Sequence, residues 1–270
     1  MIAALFENFA LQLLYFVGII SVLGLLIWRL NKTLFKLLGY KHGKRVFLST
    51  GIVGVPIHEF GHVFFCVFFA HKIKEVKWFT PNSTDGTLGV VRHTYNKKNI
   101  YHQIGNFFIG LGPLLFGSAV IIGLMYLLMP NAGQMSFTGG YFASVWNTFL
   151  VIFHLSNFAK LTWWLFIILA CSIAMHMDLS WEDVKGSLRG LLYITIIVFV
   201  MNLVLCLINT SWARAVTGAC LWLSVSVVSF MAIAILLLTV LVLISLISHV
   251  IRQKFSRRKR QSLDPSTSSG

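Results

Sequence analysis

Acidic residues are scarce in this chain. Eight Asp and Glu stand against twenty-two Lys and Arg among 270 residues, a formal net charge of +14. Charged residues of both signs reach only 11%, where an ordinary soluble domain carries about 25%. Apolar residues make up 57%. This composition argues against a soluble globular domain and against a disordered chain. It also argues against a nucleic-acid partner for the basic excess, because the apolar surface must first be buried, and the lipid bilayer is the place for it. Cysteine is scarce too. Cys66, Cys171, Cys206 and Cys220 all lie in apolar runs without a CxxC pair, so they read as small core residues rather than a disulfide framework.

What the chain has in abundance is long apolar stretches. A membrane-spanning helix needs roughly 20 such residues, and runs of that kind occupy 8–28, 46–70, 105–129, 190–208 and 217–250. A sixth, 146–175, is interrupted by His154, Asn157 and Lys160. The expected fold is an all-α polytopic membrane protein of about six transmembrane helices, forming one domain over 1–260. Residues 261–270 (QSLDPSTSSG) read as a disordered tail or a cloning remnant. The segments Ile73–Thr80 and Thr87–Tyr95, joined by the turn-rich Pro81–Gly86, read as a β-hairpin.

The basic residues are grouped, six in 29–45, six in 72–98 and six in 252–260. The positive-inside rule places the C-terminal tail on the cytoplasmic side, 209–216 outside, 176–189 inside, 130–145 outside and 71–104 inside. The 29–45 loop then falls on the wrong side if every run crosses. The tail cluster also suits an anchor on anionic lipid.

The second run contains His58-Glu59-Phe60-Gly61-His62. Two His at i and i+4 share a helix face and can reach one metal ion, with the intervening Glu beside them to contact a water. That is the zinc-hydrolase arrangement. With the His and Glu content of this chain the pattern arises by chance about 0.4% of the time, and ionisable groups within an apolar run are functional by default. Catalytic zinc normally has three protein ligands. Glu7, Glu75, Asp85 and Asp264 lie at a terminus or in polar connections, which leaves the stretch His176–Asp183. Asp183 is the first candidate for the third ligand, although Ser180-x-x-Asp183 also reads as a capping box. Asp178 is the alternative, with His176 and His154 behind it.

The HExxH helix His58–His62 within a membrane run, together with a distant Asp preceding a later helix, resembles the site-2 protease-type intramembrane zinc metalloproteases. HMDLSWEDVKG, KWFTPNSTDGTLGVVRHTYN and GLGPLLFG are similar to small bacterial members of that family. The resemblance covers roughly 50–190, with the core of the domain at 46–190. In that family an Asp of a Leu-Asp-Gly motif completes the site. Here LSWEDVKG (179–186) would stand in its place with Asp183 as the ligand, and the tripeptide itself is absent. Other zinc families fit less well: the metzincin position for a third His is Phe68, and no Glu lies between Glu75 and Glu182 to serve a thermolysin-like site.

The resemblance implies a Zn2+-dependent endopeptidase in a bacterial cytoplasmic membrane. Its substrate would be a membrane protein or a signal-peptide-like segment. Glu59 would act as the base, with His58, His62 and Asp183 holding the metal. A helical substrate hides its carbonyls, and an edge of the 73–95 hairpin could hold it extended by strand addition; a plain cytoplasmic hairpin is the alternative. Pro113, with Gly110 and Gly112, is expected to bend or break the third run and to bring backbone near the site, and Asn106 and Asn157 either line a polar cavity or join helices. The competing function is a non-catalytic metal-binding membrane protein or transporter with a structural HExxH site.

Overall fold

The computed structural model describes residues 1–83, 86–136 and 139–263, with side chains as far as Lys254. Asp85, Asp264 and most of the 261–270 tail therefore lie outside the described residues; 261–263 continue the last helix.

Apolar runs free of strong breakers wind into helices. Helix α1 (Ile2–Leu13) passes through one π turn, Leu14–Gly18, into α2 (Ile19–Phe68). Within α2 only Gly39 leaves helical geometry, at φ 73° and ψ 159°, a conformation glycine adopts without a Cβ penalty. The rings of Phe35 and Phe47 are 5.3 Å apart, whereas a straight helix would separate residues so spaced by about 18 Å. The chain thus folds back at Gly39. The 29–45 loop expected from its charge is instead helical on both sides of a one-residue reversal.

Strands β1 (Lys72–Lys77) and β2 (Val90–Thr94) pair antiparallel, with Ile73 opposite His93 and Val76 opposite Val91. Glu75 is held by Lys77 at 3.0 Å and Arg92 at 3.3 Å, and the Lys77 ammonium keeps its carboxyl below the usual range. Five helices follow: α3 (Ile100–Leu128), α4 (Gly140–Ile152), α5 (Leu161–Ala174), α6 (Trp181–Ile208) and α7 (Thr210–Leu263).

The fold is all-α and polytopic, with a small two-stranded ribbon. Among the described residues four helical stretches are long and apolar enough to cross a membrane: Ile2–Phe68, Ile100–Leu128, Trp181–Ile208 and Thr210–Lys254. The first contains two of the six expected runs. The 146–175 run is divided. The Asn157 amide donates to the carbonyls of Val151 and Ile152, and the Trp163 indole N–H donates to Ile152, which ends α4. Helix α5, at 14 residues, is about 21 Å long, short of a hydrocarbon core. The expected 209–216 loop shrinks to Asn209, whose side chain accepts the Ser211 N–H at 2.9 Å.

The core joins α2, α3, α5 and α7 through Ile27, Leu34, Leu114, Ile121, Phe166 and Leu238. At the far end, α1, α6 and α7 share a buried polar cluster. Gln12 bonds Asn202 and Thr217, and the Thr217 hydroxyl donates to Asn8, an amide and hydroxyl clamp of the kind that joins apolar helices.

Close backbone contact brings the remaining helices together. A Cβ on Gly61 of α2 would meet the carbonyl of Gly112 in α3 at 2.7 Å, and one on Gly110 would overlap Ser187 of α6. The hairpin does not hang free of the bundle; it lies along α2. Trp78 stacks on Phe60 at 6.2 Å, a Cβ on Gly51 would meet Phe79 at 2.9 Å, and Pro81 and Leu88 share a cavity of about 300 Å³ with Phe35, Lys44 and Phe47.

Candidate active site

His58 and His62 lie one turn apart on α2, and their Nε2 atoms are 3.3 Å from each other. Each ring is oriented through its other nitrogen. The Nδ1 of His58 bonds the carbonyl of His176 at 2.6 Å, and that of His62 bonds the carbonyl of Ile109 at 2.8 Å. A carbonyl can only accept, so both Nδ1 atoms carry the hydrogen and both Nε2 atoms present lone pairs.

The Ile109 carbonyl is available for a specific reason. It is the acceptor that residue 113 of α3 would normally use, and residue 113 is proline, which has no N–H. Pro113 does not break α3, which continues to Leu128, but it does bring backbone to the site as expected. Its effect is to free a carbonyl inside the bundle, which His62 then satisfies. Gly61 and Gly112 allow the two backbones to approach closely enough for that bond.

Asp183 enters from the first turn of α6. Its Oδ2 accepts the backbone N–H of Ser180 at 2.9 Å and the Ser180 hydroxyl at 2.6 Å, while its own N–H bonds Ser180 Oγ. The capping box is thus formed, and it uses one carboxylate oxygen. The other, Oδ1, stands 3.5 Å from His62 Nε2. Capping and facing the histidines are compatible roles.

Three acceptor atoms, two imidazole nitrogens and a carboxylate oxygen, therefore lie within 4.8 Å of one another. Zinc at about 2.0–2.1 Å from tetrahedral ligands separates them by about 3.3–3.4 Å, close to the 3.3 and 3.5 Å found here. The donor set and its spacing fit a zinc ion.

The alternatives take other roles. Asp178 is half-buried near the cluster but is not one of its converging ligands. Burial pushes its carboxyl above its ordinary value, opposed by His58 and reinforced by Asp183. The His176 imidazole turns to Thr50 at 3.1 Å and packs on Phe47, so its carbonyl, not its ring, serves the site. His154 is exposed and bonded to Ser156. Glu182 is exposed in the first turn of α6, where its charge complements the helix N-terminus. Asn157 terminates α4, and buried Asn106 leaves its amide nitrogen without a partner among the described residues.

Glu59 is 5% exposed. A Cβ on Gly89, at the foot of β2, would meet its Oε1 at 2.5 Å, so only glycine lets the ribbon pass over this carboxylate. Gly89 and the identity of the carbonyl that Pro113 frees are the parts of the site that motif reading missed. The sequence signal for the last is proline placed four residues after Ile109 within GLGP. Replacing it tests the point: Pro113→Ala restores an N–H that competes for the Ile109 carbonyl. It should weaken zinc binding by about 10–100-fold, as losing an outer partner of a ligating His does. Competition with a fluorescent zinc chelator measures this, and unchanged affinity would show that the carbonyl is not orienting His62.

No protein-family model matches the chain, and no curated protein or solved structure matches it.

Proposed function

We propose that this protein is an intramembrane zinc endopeptidase that hydrolyses a peptide bond in or beside a membrane-embedded segment. The observation that carries this reading is the convergence of His58 Nε2, His62 Nε2 and Asp183 Oδ1, with no hydrogen left among them, next to the buried Glu59. His58, His62 and Asp183 would hold the metal. Zinc in that position supplies a water of near-neutral pKa and polarises the scissile carbonyl.

The chain's own residues do the rest. Glu59 accepts a proton as water attacks and delivers it to the leaving amine. Burial under Gly89 keeps that carboxylate away from bulk water. The Ile109 and His176 carbonyls fix both imidazoles so that their lone pairs face the reacting centre. Each strand of the ribbon has one unpaired edge, and the ribbon runs past Glu59, so an unwound substrate segment can pair with it while its carbonyls lie open to attack. The substrate class is a membrane protein or signal-peptide-like segment. The enzyme is a multi-pass protein of a bacterial cytoplasmic membrane, with the basic cluster of 252–260 on the cytoplasmic face.

The test uses purified full-length protein in detergent micelles with a pool of synthetic signal-peptide-like segments, the products identified by mass spectrometry. Cleavage should fall to background with 1,10-phenanthroline and return with added zinc. Stoichiometric zinc without cleavage of any segment would favour a non-catalytic metal protein. Cleavage indifferent to the chelator would exclude the zinc mechanism.

A further inference from the structure

The helix face that carries His58 and His62 continues by one more turn to Cys66, which is fully buried. The Cys66 thiol does not stand alone. Its sulfur, a ring nitrogen of His71 and a ring nitrogen of His93 all lie within 4.8 Å of one another. The three residues come from three different places: the end of α2, the turn that follows it, and β2 of the ribbon.

The backbone makes an unusual turn to assemble this group. Ala70 has φ 55°, the only non-glycine residue with positive φ among those described. That region is disfavoured for a residue bearing a Cβ. The turn returns the chain onto α2, with the His71 N–H bonded to the Cys66 carbonyl at 2.8 Å, and it carries the His71 ring to the thiol.

His71 is oriented as the active-site histidines are. Its Nε2 bonds the His102 carbonyl at 2.9 Å, so that nitrogen carries the hydrogen and Nδ1 presents a lone pair. Nδ1 of His71 lies 3.0 Å from Nδ1 of His93. Tyr95 stacks on the His71 ring at 4.9 Å, and a Cβ on Gly105 would meet His71 Nε2 at 3.0 Å, so the ring has little freedom to turn away. One thiol and two imidazoles suit a borderline-to-soft transition-metal ion and not a hard cation such as magnesium or calcium.

We propose that Cys66, His71 and His93 form a second metal site, distinct from the His58–His62–Asp183 centre, that binds Zn2+ or an ion of similar softness. Three protein ligands leave a fourth position for water or another donor. An ion here ties β2 and the 69–71 turn to the end of the catalytic helix, one turn beyond His62. It fastens the root of the ribbon that passes over Glu59.

Cobalt(II) tests this without relying on peptidase activity. A thiolate ligand gives cobalt a strong charge-transfer band in the near ultraviolet, and a site made of two histidines and an aspartate does not. Full-length protein titrated with cobalt in detergent should develop that band. Cys66→Ser should abolish it, His93→Ala should abolish or shift it, and the double variant His58→Ala/His62→Ala should retain it. Because His93 lies in the ribbon, that variant keeps the test decisive even if Cys66→Ser fails to fold. Absence of the band in the wild type, its persistence unchanged in Cys66→Ser or in His93→Ala, or its loss in the double variant would each overturn the second site. None of these results depends on whether the first centre hydrolyses peptides.

Discussion

Glu59→Gln is expected to lower peptide cleavage by about 10²–10⁴-fold, the range a positioned general base contributes, while the zinc content of the protein stays at its wild-type level. The substitution is nearly isosteric. The carboxamide would still fill the space beneath Gly89, whose approach to the Glu59 carboxylate leaves no room for a Cβ, so the ribbon keeps its place. What is lost is the capacity to take a proton from water. Single-turnover cleavage and metal analysis on the same preparation separate the two effects. Cleavage at the wild-type rate would remove Glu59 from the mechanism, and loss of zinc together with activity would recast it as a ligand.

The second large effect concerns Asp183. Asp183→Ala removes a carboxylate oxygen that faces His62 at 3.5 Å and also the one that accepts the Ser180 N–H and hydroxyl, half of the capping box; the backbone N–H at position 183 keeps its bond to Ser180 Oγ. It should lose zinc outright, with only a smaller loss of stability in the N-terminal turn of α6, because the N-cap bond made by Ser180 remains. Ser180→Ala separates these roles. It leaves Oδ1 in place and removes the hydroxyl that steadies Oδ2, so zinc affinity should drop by only about 10–100-fold. Asp178→Ala should retain its zinc, because its carboxylate lies outside the converging group. Zinc lost from Asp178→Ala and kept in Asp183→Ala would reverse the assignment.

These two expectations differ in how far sequence could reach them. Glu59 is named by local spacing alone: in any helix the residue after the first His of HExxH lies beside the pair. Asp183 could only be ranked above Asp178, because a capping-box aspartate is fully explained by its local role. The geometry shows why the local reading was incomplete. A carboxylate has two oxygens, and here one serves the helix cap while the other faces the histidines.

Sequence by itself determined the class of the fold, the presence of the ribbon and the His-Glu-His face, because these depend on short-range periodicity, on the shortage of charge and on i, i+4 spacing. It misjudged how the runs are joined. A basic 29–45 segment reads as a loop, yet it is helical on either side of Gly39, since one glycine at positive φ suffices to reverse the chain. The 146–175 run reads as a span, yet Asn157 and Trp163 bond the end of α4 and divide it. Only the tertiary structure decided that Ile109 and His176 supply carbonyls to the two imidazoles, that Gly61, Gly110 and Gly112 let three helices meet, and that the ribbon crosses Glu59. Each of these is a contact between segments far apart in the chain. Backbone carbonyls carry no residue identity, so their part in a site becomes visible only when the helices are packed.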